Sequence, residues 1–316
     1  MNLPELASHH LHHFVGCGNE IGIAPLTLAG YGGTNESWRN DRQLRELLVS
    51  WGKEIGSDSI MVLTGDPRKR AEQGYHVAMT VFEPCGTDNE NNLPGGLSNM
   101  CGNGVRAVAA FVREFDLSLT EILVKTGSGL RKITYEPQSD LYVVEMGELT
   151  YLDAPIPREI QKDLSVFVSA TTWSIGLNGT RGRDGSINGE PHVIIEVTQS
   201  EAPDQISLRR LAVNAGPLIT KNRNIFPQEI NANFIVVRDN VIFNATHERN
   251  LGDDANHSVT AACGTGSTVA AGVVMEKYNK TSVLVKNMGG DLIISPDPNL
   301  PRGLLMKGEA HRVELS

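Results

Sequence analysis

Two short stretches of the chain repeat one pattern: Cys101-Gly102-Asn103-Gly104 and Cys263-Gly264-Thr265-Gly266 each place a thiol and two glycines at the head of an apolar, helix-patterned run. The repeat extends past the glycines. After the first stretch, Val105, Val108, Ala109, Phe111 and Val112 predict a largely buried helix, and Ile122 to Lys125 a strand. After the second, Thr268 to Met275 predicts a helix and Ser282 to Lys286 a strand, with Val241 to Phe243 a strand ahead of it. Cys101 precedes Lys125 by 24 positions and Cys263 precedes Lys286 by 23, and Ile122-Leu123-Val124-Lys125 reads almost as Val283-Leu284-Val285-Lys286 does. Such a repeat predicts a pseudo-two-fold protein of two α/β halves, each holding a thiol at one structural position, facing each other across a cleft. Two similar units that merely share a helix start would not match so far downstream.

The remaining elements are read from shorter signals. Phe14 to Leu28 is expected as a strand interrupted by a loop at Gly16-Cys17-Gly18-Asn19-Glu20, and Leu44, Leu47, Leu48 and Trp51 predict a helix capped by Asp41 or Asn40. Ile60 to Leu63 and Val77 to Phe82 are expected strands. Glu83 to Asn99, rich in Pro, Gly and Asn, is expected as a long insertion delivering the chain to Cys101.

With 316 residues, 40% of them hydrophobic, the chain has enough material for one large or two ordinary cores. A formal net charge of -9 and the absence of a Lys/Arg run argue against a nucleic-acid partner. No stretch approaches the roughly 18 uninterrupted apolar residues of a membrane helix, and no secretory leader is apparent, so a cytoplasmic protein without a membrane partner is expected. The four cysteines, Cys17, Cys85, Cys101 and Cys263, are too few and scattered for a disulfide framework, and are expected as free thiols. Cys17 and Cys85 lack a helix-start context and read as ordinary buried or loop thiols. The cluster His9, His10, His12, His13 reads as a solvated segment, since no cysteine or carboxylate lies at metal-ligand spacing from it.

A helix start leaves backbone N–H groups without intrahelical partners and carries about half a positive charge. A cysteine placed there is expected to have a depressed pKa, and glycines after it let the turn approach a carboxylate. Two such sites holding one carboxylate would put their sulfurs on opposite faces of the attached carbon. That arrangement removes a proton from one face and returns it on the other, which is racemisation or epimerisation. The N–H groups of Gly102, Asn103, Gly104, Gly264, Thr265 and Gly266 would stabilise the charge developing at the carboxylate. No pyridoxal or metal motif is visible, so no cofactor is expected.

Met100-Cys101-Gly102-Asn103-Gly104-Val105-Arg106 together with Ala262-Cys263-Gly264-Thr265-Gly266 resembles the diaminopimelate epimerase family, cofactor-independent two-cysteine enzymes of lysine and cell-wall precursor synthesis. Gly18-Asn19-Glu20, Asp58 in Gly56-Ser57-Asp58, Pro191-His192, Asn231-Ala232-Asn233-Phe234, Glu248-Arg249 and Met306 to Val313 follow the family's order from about residue 14 to the C-terminus. The resemblance implies an α/β (α+β) fold of two pseudo-symmetric domains, each a central helix enclosed by curved, mostly antiparallel β-sheet. The first would span residues 1–148, joined by the C-terminal strand 302–316, and the second 149–301. It further implies Cys101 and Cys263 as the acid/base pair, with Asn19, Gly102, Asn103, Glu190, Asn231, Glu248, Arg249, Gly264 and Thr265 contacting a small amino-acid substrate. A homodimer is left open.

The chain departs from the family where the far end of the substrate would be read. Glu190 replaces the Asn before Pro-His, and Ser59 stands where some members have Gln. Glu83-Pro84-Cys85-Gly86 and a longer loop replace Asn-x-Asp-Gly, and Asn250 follows Arg249 in a loop that puts Arg249 14 positions before Cys263. A carboxylate at 190 would favour a cationic distal group. Diaminopimelate leads as substrate, histidine or another polar amino acid follows, and a non-catalytic ligand-binding protein of this fold is the remaining alternative. His192 is expected as a hydrogen-bonded wall of the site rather than a base.

Overall fold

A computed structural model of the protein describes residues 11–31, 37–57, 59–88, 91–151, 171–177, 190–224, 226, 229–249 and 258–313, with backbone alone at 87 and 171–177. Asp58, His9, His10 and Asn250 lie outside the described residues. The chain divides into two units, residues 1–144 with 308–316, and residues 145–307.

The first unit opens with a hairpin. β1 (His12–Gly16) and β2 (Asn19–Pro25) pair from Gly16↔Asn19, and the two-residue turn between them has Cys17 and Gly18 at φ 51° and 72°. Both central residues at positive φ give the turn whose twist matches that of a hairpin. The expected loop is thus two residues long. β2 continues through α1 (Arg42–Glu54) to β3 (Ser59–Thr64), its parallel neighbour, and Asp41 caps α1 by accepting from Leu44 N at 3.0 Å. Trp38, Leu44, Leu48 and Trp51 pack with Ile60, Val62 and Phe82 on one face of the sheet. β3 then pairs antiparallel with β4 (Val77–Asp88).

The Pro/Gly-rich stretch 83–99 corrects the expected insertion. β4 runs on to Asp88 and returns as β5 (Leu93–Ser98), with a bulge between Glu83 and Thr87. Its glycines permit close approach instead of breaking the strand, because a Cβ on Gly86 would lie 2.8 Å from Gly96 N and one on Gly95 2.2 Å from the Phe82 ring. From β5 the chain enters α2 (Gly102–Arg113), buried on every side from Gly102 to Val112, and passes to β6 (Glu121–Thr126), parallel to β4. β7 (Gly129–Glu136) and the start of β8 (Leu141–Tyr151) follow antiparallel.

The second unit repeats this order, with no counterpart to β5 among the described residues. β9 (Thr171–Leu177) pairs antiparallel with β10 (Pro191–Glu196), which lies parallel to β11 (Asn231–Arg238) through the outer helix α3 (Gln205–Thr220). β11 pairs antiparallel with β12 (Val241–His247), which lies parallel to β13 (Val283–Lys286) through the central helix α4 (Gly264–Tyr278). β14 (Asp291–Pro296) and β15 (Gly303–Gly308) complete a circuit that closes on β8, and α4 is buried from Gly264 to Met275. The predicted α/β class with two like units is therefore observed. The segment 302–316, expected to join the first domain whole, divides: β15 belongs to the second unit, and β16 (His311–Arg312) pairs with β1 in the first. No helix among the described residues is long and apolar enough to cross a membrane.

Candidate active site

In each unit a cysteine stands immediately before the central helix. Cys101 is the N-cap of α2, in extended conformation at φ -130°, and its Sγ accepts from Gly104 N at 3.2 Å. Cys263 caps α4 at φ -107° and its Sγ accepts from Gly266 N at 3.4 Å. Both sulfurs occupy the place a Ser or Thr oxygen takes in ordinary capping. The first intrahelical bonds run from Val105 N to Cys101 O and from Ser267 N to Cys263 O, so the N–H groups of Gly102, Asn103, Gly264 and Thr265 form the first turn ahead of them.

Around Cys101 the site is built on α2 and the β1–β2 turn. Asn19 opens β2 directly after Cys17-Gly18, and Ser59, opening β3, is paired with Ile21. Asn103 is 3% exposed and its Oδ1 accepts from Arg106 Nη2 at 3.0 Å. The same nitrogen donates to Cys17 Sγ at 3.2 Å. Cys17 is thus a buried thiol, as expected, but one engaged by a guanidinium. His12 and His13 are not a solvated segment: His13 is buried in β1 and meets Glu20 at 2.5 Å, and His12 lies on the Phe111 ring.

Around Cys263 a directional chain of hydrogen bonds crosses three strands. Thr246 Oγ1 donates to Asn233 Oδ1 at 2.7 Å, and Asn233 Nδ2 meets His192 Nδ1 at 2.9 Å. An amide nitrogen can only donate, so Nδ1 accepts and the proton of the neutral ring sits on Nε2. Nε2 then donates to Thr265 Oγ1 at 3.0 Å, which leaves the Thr265 hydroxyl proton for Cys263 Sγ at 3.5 Å. His192 is wholly buried, and burial followed by the charge of Arg249 holds its pKa down at about 3. It is a neutral ring hydrogen-bonded through both nitrogens.

Cys263 departs from the depressed pKa expected at a helix start. Burial and, next, the Glu248 carboxylate push the thiol well above its ordinary value, against the smaller opposing effects of Thr265 and the Gly266 N–H. Desolvation outweighs a partial helix charge at a site this enclosed. Glu248 in turn accepts from Thr260 Oγ1 at 2.9 Å.

Glu190, Asn231 and Arg249 come together beside this chain. Arg249 Nη2 donates to Glu190 Oε2 at 2.9 Å, with the two side chains 14% and 8% exposed, and Arg249 N donates to Asn231 Oδ1 at 3.0 Å. The carboxylate expected to face a distal cation is therefore already engaged by a guanidinium. The registers His192↔Asn231 in one unit and Ile21↔Ser59 in the other put these residues at equivalent starts of parallel pairs. Asn233, Thr246 and Arg106 were not singled out as site residues from sequence. The available signal was a polar residue inside an otherwise apolar strand, as in Asn233-Phe234-Ile235-Val236.

The buried imidazoles have a measurable consequence. His192 is held at about 3 and His247, buried beside Lys221, at about 4, whereas an unfolded chain takes up both protons near 6.5. Stability from these groups is complete above about pH 6.5 and is lost as pH falls towards the folded values. Urea midpoints should drop through that window, and His192→Asn should flatten the slope by up to about 1.4 kcal/mol per pH unit. An unchanged slope would show His192 to be protonated in the fold.

No protein-family model matches the chain. A diaminopimelate epimerase of Methanothermobacter thermautotrophicus is 34% identical over 229 residues, 69% of this chain and 73% of that protein. One of Bacillus licheniformis is 31% identical over 251 residues, 76% of each. Among solved structures, a hydroxyproline epimerase from Agrobacterium vitis superposes with TM-score 0.60 at 14% identity, covering 96% of this chain and 88% of that one. A phenazine biosynthesis protein of the PhzF family from Bacillus anthracis gives 0.59 at 14% identity, covering 96% of both. These structures share the fold.

Proposed function

The chain belongs to the diaminopimelate epimerase family, and we propose that it inverts the α-carbon of a free amino acid with Cys101 and Cys263 as the two proton-transfer groups. The carrying observation is that each thiol caps the central helix of its unit through a bond from the third helical N–H, at 3.2 and 3.4 Å. The substrate carboxylate binds at the helix starts through Gly102, Asn103, Gly264 and Thr265. One cysteine, as thiolate, takes the α-proton; the C–H electron pair moves into the carboxylate, whose growing charge meets aimed N–H groups. The other cysteine, as thiol, delivers its proton to the opposite face, and the electron pair returns to carbon. Cys263, held protonated by burial and by Glu248, is suited to the delivering role. That turnover gives Cys101 the role of base. As Cys263 becomes a thiolate, the hydroxyl of Thr265 stabilises it, aimed by the tautomer of His192.

Diaminopimelate is the first substrate to test, because the curated relatives carry that name. Its distal end bears an ammonium and a carboxylate, the two charges that Glu190 and Arg249 would meet if their pair opened. Histidine, with a polar distal ring, is the second. Both are metabolites of the reducing cytoplasm expected for free thiols.

Incubating the reduced protein in deuterated water with diaminopimelate, histidine and a panel of other amino acids should show loss of the α-proton NMR signal for one of them. Exchange with none would remove the racemase reading and leave a ligand-binding protein of the same fold.

A further inference from the structure

Arg106 does not belong to the proton-transfer machinery, yet it is wholly buried directly beneath one of the two helix starts. Its Nη2 donates to Asn103 Oδ1 at 3.0 Å and to Cys17 Sγ at 3.2 Å, and its Nε donates to the Glu309 carbonyl at 3.1 Å. A guanidinium has donors only, so each partner must accept. That fixes the orientation of the Asn103 amide, with its oxygen turned to Arg106. It also joins three segments distant in sequence: the β1–β2 turn, the helix start, and the chain between β15 and β16.

Cys17 supplies an independent observation. It sits at φ 51°, a left-handed conformation that favours Gly or Asn over a residue such as cysteine. The turn keeps a side chain there nonetheless, and that side chain carries the sulfur on Arg106. Gly16 adjoins the same group, since a Cβ there would make ordinary contact with Arg106 Nη2 at 3.6 Å and Glu309 O at 3.5 Å. Lysine, with one compact ammonium, cannot reproduce a planar fork reaching three acceptors.

We infer that Arg106 is a positioning residue, which through Cys17 holds the Asn19 turn in register with the Asn103 helix start, so that both present their donors to one substrate. The inference rests on the proposed amino-acid racemase reading. Its position under the helix start also adds positive charge where a carboxylate binds.

The test uses Cys17→Gly, which removes the acceptor while suiting the backbone, and Cys17→Ser, which keeps an acceptor. Cys17→Gly should raise KM about tenfold with kcat within threefold of wild type, and Cys17→Ser should restore KM to within threefold. Arg106→Lys should resemble Cys17→Gly. An arm independent of turnover is iodoacetamide alkylation of Cys101, resolved by peptide mass spectrometry across pH, since a displaced helix start changes the thiol's surroundings. Cys17→Gly should change that rate at least threefold at fixed pH, and Cys17→Ser should not. A KM and an alkylation rate both within twofold of wild type in folded Cys17→Gly would overturn the inference, as would Cys17→Ser failing equally with Cys17→Gly. If wild-type protein exchanges no α-proton, the racemase reading falls and the alkylation arm alone decides whether Arg106 holds the helix start.

Discussion

Cys101→Ala and Cys263→Ala are each expected to abolish inversion, lowering the rate by about 10³-fold or more, because general acid–base groups contribute roughly 10²–10⁴-fold and a two-face transfer needs both. The two losses should differ in kind. In Cys263→Ala the remaining thiol can still take a proton and return it to the same face, giving slow α-deuterium exchange with retained configuration. NMR exchange and chiral chromatography on the same samples separate exchange from inversion. Alanine also removes a cap acceptor at about 1 kcal/mol, so Cys→Ser variants, which keep an acceptor on Gly104 N or Gly266 N, are the folding controls. Inversion at the wild-type rate in either alanine variant would refute the two-thiol scheme.

Gly266→Ala should be nearly as damaging, for a reason outside the chemistry of sulfur. A Cβ at 266 would lie 2.2 Å from Asn233 Oδ1 and 3.0 Å from Thr246 Oγ1. Neither neighbour has room to yield, since Asn233 is wholly buried, accepting from Thr246 and donating to His192. The helix start must move instead, at a cost of about 1–3 kcal/mol in urea unfolding. Turnover should fall at least about 100-fold, because positioning errors near 1 Å carry that penalty. At the equivalent position the obstacle to Gly104→Ala is the Met61 thioether at 2.3 Å, the end of a flexible side chain, so the loss there should be smaller. Equal tolerance of both substitutions would mean that the hydrogen-bond chain from Thr246 to Cys263 does not hold the second helix start in place.

Much of the fold could be read from local pattern. Apolar patterning located the two central helices and α1, whose cap is Asp41, one of the two candidates that the sequence offered. The 83–99 stretch was misread because Pro and Gly ordinarily signal a loop, whereas here the missing Cβ atoms let β4 and β5 close over the Phe82 ring. β7, β8 and β9 went unassigned, and in the first two the apolar positions alternate with charged residues such as Lys132 and Glu145.

The sequence by itself determined the candidate reaction centre: two cysteines, each followed by glycines at the head of an apolar helix, in two stretches of similar local order. Those features are legible because capping and periodicity act over a few neighbouring residues. The tertiary structure decided how each thiol is treated. The hydrogen-bond chain through Thr246, Asn233, His192 and Thr265, the hold of Arg106 on Cys17 and Asn103, and the Glu190–Arg249 pair all join side chains far apart in sequence. Burial then raised the Cys263 thiol where a helix start alone would have lowered it. Desolvation depends on everything packed around a group, and no local pattern carries that sum.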